Sequence, residues 1–321
     1  MARLIKKTVI LAKVEVTSGT DSVPTGAANA IQVMNMSITP IDAKMATINT
    51  VTPWFGGSID LVAANSVKCS FEVLLAGSGT AATGPAWGQL LLGCAMAETT
   101  GLTVPNRVEY DPITEALKSL SIYYYDDGVQ HKLLFAMGNV KLSAKSGEIP
   151  KLMFDFVAVD GGATAVTNPS AVLTAWKQPV PVTKANVTDI LLGCTYSAGA
   201  LSGGTSYNST GLTLDWGNQT AFVPMLTTET VVLSDRNIKG SLELELTAAQ
   251  EVTQLTNVKA NTSTGMGFTI GTATGAKIML FAPAVQLLNP KKVDNSGMRL
   301  IGFDIGLNPS AGNDELKIIS L

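Results

Sequence analysis

Apolar and polar residues alternate along much of this chain, with the two-residue period of a half-buried strand. In "SVKCSFEVLLAG" (66–77), Val67, Phe71 and Val73 point one way while Lys68, Ser70 and Glu72 point the other. "NIKGSLELELTA" (237–248) writes the same strand again, with Ile238, Leu242 and Leu244 in the apolar places and Lys239, Ser241 and Glu243 in the polar ones. A helical period follows each copy. In "GPAWGQLLLGCAMAE", Pro85 can open a helix whose stripe is Trp87, Leu90, Leu91 and Cys94. In "TAAQEVTQLTNV", Thr247 and Gln250 have the spacing of a capping box, and Ala248, Val252 and Leu255 are the expected stripe.

Alternation then resumes on both sides of Asp126-Asp127-Gly128, a strong hairpin signal. Its counterpart turns near Thr274-Gly275, which sets Phe135-Ala136 on Phe281-Ala282. Finally "KLMFDFVAV" matches "RLIGFDIGL", with Phe154-Asp155-Phe156 on Phe303-Asp304-Ile305. The offset is 171 residues at Lys68/Lys239, 146 at Phe135/Phe281 and 149 at Phe154/Phe303. Order is kept and the offset changes only between elements, as loop insertions would make it. The expected fold is therefore mainly β with one short helix per unit, in two tandem domains, 1–175 and 176–321. The join falls in the segment broken by Pro169, Pro179 and Pro181.

Two further stretches read as loops. "SAGALSGGTSYNSTG" lies in the charge-poor run 190–228 and resembles a flexible linker. "AKMATINTVTPWFGGS" is taken as its first-copy counterpart, with Trp54 and Phe55 at the tip. Two readings of that aromatic pair stand open: tucked onto its own domain, or plugged into a neighbouring subunit.

Composition sharpens the picture. Of 321 residues, 46% are apolar and only 15% charged, well under the roughly 25% of ordinary soluble proteins, so much of the surface is expected to meet other protein. The net charge of −3 is evenly spread, with Lys6-Lys7 and Lys291-Lys292 the adjacent basic pairs, so no cationic patch for gripping a duplex is expected. The apolar run from Thr8 to Ala12 stops at Lys13, short for a signal segment, and no stretch approaches a membrane span. Cys69, Cys94 and Cys194 are odd in number and outside metal-ligand spacing. The N-x-S/T triplets at Asn35, Asn186, Asn208, Asn218 and Asn261 are what an Asn/Thr-rich chain produces.

Candidate chemistry is sparse. A Ser or Cys triad needs an imidazole base, and the single histidine, His131, reads as a surface or edge residue beside a turn. Asp126-Asp127 are turn residues before they are paired acids. "GSGTAATG" (77–84) lacks the lysine of a phosphate-cradling loop. No catalytic residue, metal or cofactor is expected.

"VILAKVEVTSGTDSVPTGAANAIQV", the strand–helix–hairpin order and "FAMGNVKLSAKSGEIPKLMFDFVAVDGG" together resemble the tail tube (major tail) proteins of long, non-contractile-tailed bacteriophages. The likeness covers most of residues 1–160 and recurs more weakly in 176–321. It implies two tandem β-sandwich or partial-barrel domains, each with one helix. Rings whose inner sheets join across subunits would stack into a virion tube for DNA ejection, assembled in the host cytoplasm. Two domains per chain imply homotrimeric, pseudo-hexameric rings. The implied partners are the chain itself, tape measure, tail terminator and tip proteins, with DNA passing unbound and no membrane. In that family a loop in this part of the fold reaches the next ring, which carries an inter-subunit contact onto Trp54 and Phe55. Competing readings are a two-domain adhesion or carbohydrate-binding sandwich and a tail-completion or capsid-decorating protein; a hydrolase on a β scaffold is the weakest.

Overall fold

A computed structural model describes residues 2–51 and 53–321, and the chain is mainly β. After a 3-10 turn at Ile5–Lys7, the N-terminal alternation becomes β1 (Val9–Val14). A one-turn helix α1 (Gly26–Asn29) and β2 (Ala30–Ile31) lead to two long strands, β3 (Met34–Ile48) and β4 (Ile59–Leu74). Helix α2 (Gly88–Leu92) precedes β5 (Met96–Leu102), β6 (Arg107–Pro112), β7 (Leu120–Tyr125), β8 (Val129–Lys145) and β9 (Lys151–Ala165). The second half opens with β10 (Ile190–Ser197), β11 (Ala200–Tyr207), β12 (Ser209–Asp215) and the hairpin β13 (Gln219–Pro224) and β14 (Glu229–Asp235). It closes with β15 (Lys239–Leu244), α3 (Ala248–Lys259), β16 (Ser263–Ile270), β17 (Ile278–Asn295), β18 (Met298–Leu307) and β19 (Lys317–Ser320).

In the first half the antiparallel neighbours run β3-β4-β9-β8-β7-β1. In the second they run β12-β15-β18-β17-β16-β10. The residues aligned by the sequence repeat stand in matching register. Ser70 faces Asp155 as Ser241 faces Asp304; Phe71 faces Phe154 as Leu242 faces Phe303; Leu120 faces Ala136 as Met266 faces Ala282. A helix sits between the equivalent strands in each half.

Core-facing side chains of both halves form one continuous apolar cluster. Phe71, Phe154 and Phe156 pack at centroid distances of 5.8–5.9 Å within it, and the predicted stripe Trp87, Leu90, Leu91 and Cys94 is buried. The Asp127-Gly128 turn has positive φ at both residues (40° and 98°), the geometry that continues the strand twist. The capping box at Thr247 and Gln250 is formed.

A register shift divides β8 between Leu134 and Met137. There a buried carboxylate, Glu15, accepts hydrogen bonds from Ser119 Oγ (2.6 Å), Ser121 Oγ (2.9 Å), Gly19 N (2.7 Å) and Phe135 N (3.0 Å). Four donors compensate its desolvation. The bulge lets one strand serve two neighbours: before it β8 pairs with β7, and beyond it Lys141–Lys145 pairs with β12.

Four expectations need correction. The charge-poor stretch around residues 196–210 is strand, not linker: Cys194–Ser197 pairs with Ala200–Gly203, and the chain continues into β12. The first six residues of "AKMATINTVTPWFGGS", 43–48, are likewise strand rather than loop, because β3 continues to Ile48. The topological counterpart of that stretch is the β13–β14 insertion between β12 and β15, not residues 196–210. On α3, Ala248 and Val252 face solvent, and the inward side is Glu251, Gln254, Leu255 and Val258. His131 is half-buried and paired with both Tyr124 and Ala163, so it is not on an edge strand.

Phe154 is 1% exposed inside the aromatic cluster. Phe154→Ala should cost about 3–5 kcal/mol of stability, read as a lower denaturation midpoint at unchanged m value.

Candidate assembly surfaces

Two seams sew the halves together, and both are strand pairings. At the first, β12 lies beside β8, with Thr213 opposite Ser143 and Asp215 opposite Lys141. Its inner face is Leu212 and Leu214 against Leu142 and Ala144, all buried. Its outer face is polar. Lys141 Nζ lies 3.6 Å from Asp215 and 4.0 Å from Asp155, while Asn139 Nδ2 donates to Asp215 at 2.7 Å. On the same face Lys151 Nζ is 3.0 Å from Glu72. Lysines and carboxylates are thus interleaved rather than segregated by sign.

At the second seam, β19 sits between β17 and β6, with Ile318 opposite Tyr110. A charged cluster locks it. Lys317 Nζ lies 2.7 Å from Glu109 and from Asp111, Arg107 Nε donates to Glu109 at 2.6 Å, and Tyr196 Oη donates to Glu109 at 2.5 Å. Burial alone would push the Glu109 carboxyl up, but the hydrogen bonds from Lys317, Tyr196 and Arg107 outweigh it and hold its pKa down to about 2. Burial alone would lower Lys317, yet Asp111 and Glu109 raise it.

Two edges of the same layer remain open. β3 pairs with β4 alone, and beyond its own register shift Lys291–Asn295 of β17 pairs with β18 alone. Unpaired strand edges offer rows of N–H and C=O groups to another strand. These edges lie at opposite ends of the strand order β3-β4-β9-β8-β12-β15-β18-β17.

The β3–β4 pair extends past the sheet as an arm. Along it Ile41, Met45, Ile59, Leu61 and Val62 are exposed, and at its tip Trp54 is 71% and Phe55 fully exposed. The tucked reading of this pair does not describe Phe55. Sequence periodicity gives a strand's face but not its partner, so neither seam was visible in it. The seam charges Glu109 and Lys317 were likewise missed, being far apart in sequence.

Chemical sites are thin by comparison. Among the described residues, no three His, Cys, Asp or Glu side chains group as a metal site. No helix among them is long and apolar enough to cross a membrane. The three cysteines are buried and unpaired; burial pushes the Cys69 thiol up to about 12 and raises Cys94 and Cys194 as well.

The chain matches the family of phage tail tube proteins over residues 6–305, nearly its whole length. It belongs to that family. No curated protein matches it individually. This tail tube protein is accordingly a structural component of the phage tail, and the features to explain are its seams and edges.

The Glu109 carboxylate, with its lowered pKa, stabilises the fold fully above about pH 4.5 and loses that contribution as pH falls towards about 2. Glu109→Gln should therefore be less stable than wild type at neutral pH, with the gap narrowing between pH 4.5 and 2 in urea titrations. A gap that is constant across that window contradicts the assignment.

Proposed function

We propose that this tail tube protein self-assembles head to tail into closed rings that stack as the tube of a long non-contractile tail. The tube would be the conduit through which DNA leaves the virion, and the role is structural, not enzymatic. The observation that carries this reading is the β8–β12 seam beside the two open edges. The chain is read as an internal duplication of one β unit, 1–175 and 176–321, and the seam is then a junction between like units. Repeating that junction between chains joins the open β3 of one copy to Lys291–Asn295 of the next.

The register follows from the template. Ser37 holds the place of Thr213, because it faces Ser70 as Thr213 faces Ser241. Val293 holds the place of Ser143, because it faces Leu300 as Ser143 faces Lys151. Ser37 should therefore face Val293 across the chain boundary, Ile38 face Lys292, and Thr39 face Lys291. Such a junction is heterologous: it joins different surfaces on each partner and ends only when the ring closes. Three chains supply six units.

The part of the joined layer's polar face that the arms leave uncovered would line the lumen. Its paired lysines and carboxylates support passage of DNA without a grip, since binding a duplex requires cations free to displace counterions. On this reading Trp54 and Phe55 contact another copy of the chain. Tape measure, terminator and tip proteins are the other partners, and assembly takes place in the host cytoplasm.

Negative-stain images of the concentrated protein should contain hollow, regularly striated filaments or rings. Ser37→Cys combined with Val293→Cys should add inter-chain disulfides on mild oxidation, since directly opposed strand residues lie within disulfide reach. Dispersed monomers at high concentration, with neither filament nor disulfide, would sink the reading.

A further inference from the structure

We propose that the β3–β4 arm of one copy seats across the exposed face of β17 and β18 in the neighbouring copy of the same ring. This rests on the self-assembly reading above and adds the arm's partner. The template is the second arm, β13–β14, which leaves the fold at the equivalent place, between β12 and β15. That arm does not project. It lies back over β8 and β9, where Thr220, Ala221 and Phe222 line one cleft with Ala64, Ser66 and Val157. Its Val231 is 2% exposed, and Ala64 and Ser66, which share that cleft on the polar side of β4, are 8% and 3% exposed. Its base is anchored by Asn218 Nδ2, which donates to Cys94 O (2.9 Å) and Gly138 O (3.0 Å), and by Arg236 against Glu315 (3.0 Å).

The first arm has the apolar surface for the same seat but none within its own chain, as its exposed Met45, Ile59, Leu61 and Val62 attest. Across the proposed junction, the surface equivalent to β8–β9 is β17–β18 of the next copy. That surface is prepared for a strand to lie on it. Where β9 carries Met153 and Val157, β18 carries Gly302 and Gly306, flanked by the half-buried Val293 and Leu288. A Cβ at Gly306 would meet only Leu288 Cδ1, at 3.9 Å, so the space above it is open. Glycine on a strand admits close approach of another backbone.

Charge agrees with this seat. Thr220 lies in one cleft with Asp155. Counting five residues on from the equivalent Asp215 and Thr39, through the bulge that β3 carries between Thr39 and Asp42, sets Lys44 at the place of Thr220, and Asp304 holds that of Asp155. The arm therefore brings a lysine to a carboxylate that within its own chain accepts from Asn289 Nδ2 at 2.9 Å. By the same count Ala46 holds the place of Phe222, and Gly306 that of Val157.

A chain carrying Ala46→Cys and Gly306→Cys, assembled and treated with a short bismaleimide, tests the seat. The native thiols are buried and serve as the unreactive background. The expected result is a covalent ladder on a denaturing gel that stops at the number of copies in one ring, absent from either single variant. Lys44→Glu should lower the cross-linked fraction several-fold, and Asp304→Lys added to it should restore it. A ladder that climbs without limit means the arm reaches the next ring and overturns the proposal. Filaments without a ladder overturn it while leaving the tube intact. Absence of any assembly overturns both.

Discussion

A β-strand at the rim of a sheet carries backbone donors and acceptors that must find partners, and the architecture of this tail tube protein is organised by that demand. Inside the chain it is met twice, where β12 closes on β8 and where β19 inserts between β17 and β6. At the two ends of the long layer it is left open, on β3 and on Lys291–Asn295. The bulge at Phe135 is what makes the first closure possible, since it turns β8 from one neighbour to another, and the buried Glu15 holds the bulge in place. A core carboxylate thus controls a strand pairing that is remote from it in sequence.

The two faces of the long layer divide the labour. The inner face is apolar and continuous through both halves, so the halves are held by burial rather than by the linker. The outer face is polar, and several of its charges pair with one another: Lys141 with Asp215 and Asp155, Lys151 with Glu72. Exposed pairs of this kind contribute little to stability, at most about 1 kcal/mol each. Their effect is instead to leave the surface without a field of one sign.

Much of this was legible in the sequence because local chemistry determined it. Asp126-Asp127-Gly128 fixed a turn, Thr247 with Gln250 fixed a helix start, and strict alternation fixed the faces of β4 and β15. The residues that the repeat aligned, Ser70 with Ser241 and Asp155 with Asp304, stand in matching register, although the pairing of their strands was not read from it. What failed was context. "SAGALSGGTSYNSTG" has the composition of a linker, yet β10 supplies it with a partner strand and overrides its weak propensity. The stripe of α3 was misassigned because Gln254 is buried by a hydrogen bond to Tyr207 Oη, which hydropathy counts as polar. The exposed arm read as a loop because Thr, Asn and Pro mark its tip, although the strands continue well into it.

The sulfur chemistry has its own consequence. Cys69, Cys94 and Cys194 are all at most 3% exposed, and burial keeps each in the protonated form. The thiolate is the species that oxidants and alkylating agents attack. These three cysteines therefore offer no sulfhydryl ready to couple with a neighbouring molecule, whether the surroundings are reducing or aerated.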